Sequence, residues 1–215
     1  MKNRFLYGIF IVLTGLSFGN AQEFSKSSSV FFATKAKDTA RINETFNEND
    51  TTNSRGLKKQ LKPIQINFKR INSITKWISV QKKNIEGESA EGGEATFYYT
   101  DKGLEKVIAR HYGEMWQKLI EYYLLNGQLS FVLEKEYRYN RPLFYDAKAM
   151  KENNDTEAFD FKKSEIIMTR NYFENGNIIL INATTGRGYN FSADYPDEQE
   201  KEIKEDFKRL LELVN

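Results

Sequence analysis

The sequence predicts an α+β fold: an antiparallel β-meander of about five or six strands, with an N-terminal and a C-terminal helix packed on the sheet. Three observations carry that expectation. Apolar residues recur every three to four positions at either end of the patterned region. Between those ends the period drops to two. Gly-containing turns interrupt the alternation at Asp101-Lys102-Gly103, Asn126-Gly127 and Asn175-Gly176.

The first segment stands outside that domain. Lys2 and Arg4 precede an apolar run from Phe5 to Phe18, followed by Gly19-Asn20-Ala21. A charged start, a short apolar stretch and a small-x-small site make residues 1–21 a cleaved secretory signal. The run is shorter than the roughly 20 apolar residues a spanning helix needs. Residues 22–60 are polar and poorly patterned apart from Val30-Phe31-Phe32. They are expected to form a flexible leader, because so little apolar surface cannot offset the entropy of ordering. A single domain then occupies residues 61–215.

Ile64, Phe68, Ile71, Ile74 or Thr75, and Ile78 follow Leu61 at helical spacing, with Lys69, Arg70 and Lys76 opposite. Pro63 suits a first helical turn. Ile64 to Phe68 also alternates as a short strand would, but the longer period favours the helix. Gly87 to Glu94 is a loop by composition. Strands are expected over Ala95–Thr100, Leu104–Tyr112, Leu119–Leu125 and Gln128–Tyr139, with Asn140-Arg141-Pro142 stopping the last. Residues 146–158 read as a polar excursion. A final hairpin runs from Phe161 or Glu165 to Phe173 and from Asn177 to Asn182. The C-terminal helix has Asp194 as its cap, Pro196 in its first turn, and a stripe of Ile203, Phe207, Leu210, Leu211 and Val214. Glu200–Lys204 and Glu205–Arg209 lie one turn apart on its wet side.

A motif recurs within the strands. Tyr98-Tyr99, Tyr122-Tyr123 and Tyr172-Phe173 each enter a Gly-containing turn, and an aliphatic residue resumes the return strand. Hairpin units added to one meander would give this pattern, and so would hairpins that independently select aromatics and Asn-Gly. Ser89-Ala90-Glu91-Gly92-Gly93, Tyr112-Gly113-Glu114, Glu121-Tyr122-Tyr123, Leu129 to Lys135 and Tyr139-Asn140-Arg141-Pro142 resemble exported β-rich proteins of Gram-negative bacteria. The likeness covers roughly residues 61–182, and its most specific piece is the Ser-x-Glu-Gly-Gly loop. The aromatic–Gly hairpins are also similar to bacterial repeat proteins built of stacked hairpins. These resemblances imply a fold and an exported compartment, and hand over no catalytic residue.

Composition narrows the chemistry. The chain has no Cys and one His, which excludes disulfides, thiolate catalysis, Cys-ligated zinc and any His-rich metal site. The formal charge of +2 comes from Lys2 and Arg4, so the exported chain is near neutral and has no field to attract nucleic acid or anionic lipid. No P-loop or dinucleotide fingerprint occurs, and no cofactor is expected. Glu86, Glu88, Glu91 and Glu94 lack the spacing of a calcium loop and read as a solvated connector, so no metal site is expected there. His111 lacks an adjacent nucleophile motif. Glu134 and Glu136 share one strand face about 7 Å apart, a separation at which paired carboxylates can hydrolyse glycosides.

The excess of tyrosine is the strongest functional signal. Consecutive tyrosines put one ring on each sheet face, and an open aromatic face suits a glycan or a protein partner. Tyr99, Tyr122, Tyr123, Tyr137 and Arg138 are the candidate binding residues. Cross-strand aromatic pairs also stabilise a sheet with no ligand at all. The expected function is an exported, non-enzymatic binding module, periplasmic or secreted, with no membrane span after signal cleavage. The alternatives are a hydrolase using Glu134 or Glu136 with His111, and a structural envelope component.

Overall fold

The computed structural model describes residues 55–184 and 195–215. The expected signal, residues 22–54 of the expected leader and the Asp194 cap lie outside the described residues. Seven antiparallel strands form one sheet in strict sequence order, each hydrogen-bonded to the next. They are β1 (Ser79–Ile85), β2 (Gly93–Thr100), β3 (Gly103–Tyr112), β4 (Trp116–Leu125), β5 (Gln128–Arg138), β6 (Glu165–Glu174) and β7 (Asn177–Thr184). The predicted α+β meander with a helix at each end is the observed architecture. Helix α1 (Arg55–Asn72) precedes the sheet, a short helix α2 (Ala147–Glu152) interrupts it, and α3 (Tyr195–Glu212) follows it. Among the described residues no helix is long and apolar enough to cross a membrane.

Helix α1 packs through Leu61, Ile64, Phe68 and Ile71, all 4% exposed or less. It starts at Arg55, upstream of the expected Leu61, because Leu57 joins the same apolar cluster. Pro63 therefore sits inside the helix instead of in its first turn. The helix also stops earlier than its apolar period suggests: Ser73 closes it by donating to the Lys69 and Arg70 carbonyls, and Ile78 is left 73% exposed. Strand β1 was not expected. Its sequence, SVQKKNI, alternates nothing apolar and is exposed along most of its length. What makes it a strand is the free edge of β2, to which it pairs from Ser79–Tyr99 to Ile85–Gly93. Exposed Lys82 and Lys83 suit an edge that must not recruit a further strand.

The centre of the sheet is buried on both faces. One face carries Tyr123, Phe131, Leu133 and Tyr172, covered by α1. The other carries Phe97, Val107, Ala109, Ile120, Tyr122 and Val132, covered by Ile203 and Leu210 of α3. The result is helix, sheet, helix, so strand β4 is almost continuously buried from Leu119 to Leu124.

The turns follow the sequence closely. Asn126 and Gly127 have φ of 54° and 77°, and Asn175 and Gly176 have φ of 54° and 79°. These are the primed two-residue turns that match strand twist. Each aromatic pair also marks a register shift beside its turn, at Tyr98/Tyr99, Tyr123/Leu124 and Tyr172/Phe173. The polar excursion folds back on β5, with Asp146 capping α2 and Arg141 gripping Asp155 at 3.1 and 3.2 Å. Phe161 stacks on Tyr137 at 5.3 Å, and Phe159 meets Tyr139 edge-on at 5.2 Å.

Candidate functional site

The five tyrosine and arginine candidates do not form a platform. Tyr122 and Tyr123 are 0% and 1% exposed, so neither member of the pair lies open. The expectation that one face is free is corrected by the two helices, which take opposite faces. Tyr137 lies under Phe161, and Tyr99 packs partly against the core cluster on the α3 face. Arg138 is exposed and bonds Glu136 at 2.6 Å. Of the hydrolase candidates, His111 and Glu134 share the floor of one cleft, but both carboxylates, Glu134 and Glu136, are already engaged. Glu134 is buried and accepts from Asn171, Gln199 and Lys118, while Glu136 is occupied by Arg138.

A cleft of about 530 Å³ opens between the sheet and α3. Its floor comes from strand positions of one parity: His111 on β3, Trp116, Lys118, Ile120 and Tyr122 on β4, and Glu134 on β5. Its wall is the polar side of α3, including Glu202, Glu205, Asp206 and Arg209. The sequence places these residues by strand alternation on one side and by one helix stripe on the other.

At the inner end Glu88, His111 and Asp206 bring one ligating atom each to within 4.8 Å of one another. The Ser-x-Glu-Gly-Gly loop puts Glu88 there. Ser89 Oγ donates to the Tyr112 carbonyl at 2.5 Å, Gly92 N donates back to Ser89 Oγ at 3.0 Å, and Tyr112 N donates to the Gly92 carbonyl at 3.0 Å. Gly92 takes φ of 66° to make the turn, and a Cβ on Gly93 would lie 2.5 Å from the Arg110 carbonyl oxygen. These glycines let the loop close over the end of β3, which leaves Glu88 facing the His111 ring. Of the other connector acids, Glu94 pairs with Lys82 at 2.6 Å.

His111 is 6% exposed. Its Nδ1 lies 2.6 Å from Glu88 Oε2. Its Nε2 is buried, has no hydrogen-bond partner among the described residues, and points at Asp206 Oδ2, 3.7 Å away. That gap is too long for a hydrogen bond and within reach of an ion pair. Tyr122 donates its hydroxyl to the same Asp206 oxygen. Burial first, and then the Asp206 carboxylate, push the Tyr122 phenol well above its ordinary range, so it stays a donor. Arg209 closes the outer side, 2.8 Å from Asp206 Oδ1 and 3.3 Å from a Glu88 oxygen. It is thus turned away from the helix-surface role expected for it, whereas Lys204 and Glu200 pair as expected at 2.5 Å. Farther along, burial lowers Lys118 but the Glu134 carboxylate more than offsets it, so Lys118 stays a cation above its usual range.

Glu88 and Asp206 were not singled out together by the sequence. Asp206 carried a signal nonetheless. It stands at a buried position between Ile203 and Leu210, where the helix stripe calls for an apolar residue. A buried acid in an apolar stripe, with a lone His at a strand end, is the pattern of a polar site under a helix. Neither a protein-family model, nor a curated protein, nor a solved structure matches the chain.

Proposed function

We propose that the protein is an exported, non-enzymatic binding module, and that its ligand is a small cation held in the cleft between the sheet and α3. The observation that carries this reading is the charge of the lining. Glu88, Glu134, Glu202, Glu205, Asp206 and Glu212 face Lys118, Lys208 and Arg209, so acids outnumber fixed cations by two to one. A concave acidic surface concentrates cations, and Trp116, 39% exposed at its edge, offers a ring face to one. The cleft, and not an aromatic sheet face, offers the ligand surface, since Tyr122, Tyr123 and Tyr137 are buried. Catalysis by Glu134 has little support, because three donors already engage that carboxylate. Export rests on residues 1–21 and predicts a mature N-terminus at or near Gln22.

The test is a thermal-shift and Trp-fluorescence titration with putrescine, divalent metal salts and, as a negative control, succinate. A cation present at 100 times its Kd stabilises by about 2.7 kcal/mol through mass action. Stabilisation by putrescine or a metal, but not by succinate, supports the reading. No response to any cation overturns it.

A further inference from the structure

We propose that the inner end of the cleft binds a divalent transition-metal ion of the Zn²⁺ class between His111 Nε2 and the Asp206 carboxylate, with Glu88 orienting the imidazole. The proposal rests on the cleft being a cation site and names the cation. Three observations carry it.

First, a buried imidazole nitrogen without a partner is costly, and this one faces a carboxylate oxygen. With the Nδ1 proton given to Glu88, Nε2 offers its lone pair toward the Asp206 carboxylate, and a cation between the two would satisfy both. Second, the spacing fits a metal. With metal–nitrogen and metal–oxygen bonds of about 2.0–2.2 Å, the 3.7 Å between Nε2 and Oδ2 corresponds to an angle of roughly 115–135° at the ion. That is wider than tetrahedral, nearest to it when both bonds are at the long end of the range. Third, the supporting contacts are already built. Glu88 at 2.6 Å from Nδ1 is the carboxylate that a metal-bound histidine ordinarily requires on its far nitrogen. It fixes the tautomer that leaves the Nε2 lone pair free. Asp206 is steadied by Tyr122 on one oxygen and Arg209 on the other, which leaves each oxygen a second lone pair. Two protein ligands in an open cleft leave the remaining positions to solvent, so the ion stays exchangeable. His/carboxylate donors favour Zn²⁺ or Cu²⁺ over Ca²⁺ or Mg²⁺, which take oxygen alone.

The composition makes the test unusually direct. His111 is the chain's one histidine and there is no cysteine. Any imidazole-type nitrogen coupled to a bound metal in untagged protein must therefore be His111. Zn²⁺ titration of the untagged chain by calorimetry should give one site, and Cu²⁺ should show the hyperfine splitting of a single imidazole in electron paramagnetic resonance. His111→Gln should lower Zn²⁺ affinity at least 100-fold, and Glu88→Gln by about 10–100-fold with stoichiometry kept. If His111→Gln does not fold, ¹⁵N spectra of the wild-type ring keep the test decisive: Zn²⁺ must shift Nε2 far more than Nδ1. Zn²⁺ affinity unchanged in His111→Gln, a Cu²⁺ spectrum without nitrogen coupling, or an unmoved Nε2 resonance overturns the proposal. Putrescine binding without Zn²⁺ binding would overturn the metal alone and leave the cleft reading standing. Failure of both would remove the two together.

Discussion

Tyr122→Ala and Tyr123→Ala should destabilise the protein by similar, large amounts, because the two rings serve separate cores. Tyr122 is 0% exposed and lies 5.2 Å from the Phe207 ring of α3. Tyr123 is 1% exposed, with ring centroids 4.9 Å from Phe68 of α1 and 5.7 Å from Phe131. Removing a buried aromatic side chain costs about 3–5 kcal/mol, from lost transfer energy plus the cavity left behind. Against a total stability of about 5–15 kcal/mol, either variant remains measurable. At about 2–4 °C per kcal/mol for a domain of this size, each should melt some 6–20 °C lower. The phenylalanine variants separate the hydroxyls from the rings. Tyr122→Phe leaves the buried Asp206 carboxylate one donor short and should cost about 1–3 kcal/mol. Tyr123→Phe should cost less, since Lys106 and Glu121 stay in contact at 2.5 Å without it. Urea unfolding with the midpoint and slope fitted separately is the assay. A cost below about 1 kcal/mol for either alanine variant would mean that its face is open, and the two-sided core would be refuted.

Three further outcomes follow from single contacts. Gly127 has φ of 77° with no atom near its absent side chain, so Gly127→Val should cost about 1–3 kcal/mol from backbone strain alone, read as a lower urea midpoint. In Gly93→Ala the new methyl meets the Arg110 carbonyl at 2.5 Å, and the melting temperature should fall as β2 is forced off β3. Burial raises Glu105, but hydrogen bonds from Arg70 and Thr100 and the Arg70 charge outweigh it and hold its carboxyl below the ordinary value. That stabilisation is complete above the unfolded-state pKa, near 4.3, and is lost as pH falls through the folded one. Urea unfolding across pH 7 to 3 should therefore show a shallower acid decline in Glu105→Gln than in wild type.

The meander was legible because its turns are chemical statements. Asn126-Gly127 and Asn175-Gly176 demand positive φ, and the residues between them alternate. Strand β1 was not legible, because its exposed SVQKKNI holds no pattern of its own and takes its shape from its neighbour's edge. The burial of both tyrosines was open to a closer reading. Leu119-Ile120-Glu121-Tyr122-Tyr123-Leu124-Leu125 is nearly continuous in apolar character, as a strand covered on both faces should be. Alternation alone says that neighbouring rings point apart; it does not say how many layers lie beyond them. The site was harder still. His111 was visible as the lone histidine, but its partners come from a loop 23 residues upstream and a helix far downstream. No spacing rule links such positions; the sheet and α3 do.

The buried polar cluster itself argues for a role other than stability. Asp206 stands where leucine would pack between Ile203 and Leu210, and His111 continues the strand parity that buries Val107 and Ala109. Desolvating an acid and its partners costs several kcal/mol, which their mutual attraction offsets only when every hydrogen-bonding atom is satisfied. Here Nε2 is not. Replacing the inner members together, with His111→Leu, Asp206→Leu and Tyr122→Phe, removes the charges without stranding a partner in the core. Such replacements are commonly neutral or stabilising by about 1–4 kcal/mol. The triple variant should therefore unfold at the same or a higher urea concentration than wild type, while Zn²⁺ no longer raises its melting temperature. A loss of more than about 3 kcal/mol would instead make the cluster a clamp between α3 and the sheet. In that case its polar groups would be accounted for by the fold, and no bound cation would be needed between His111 and Asp206.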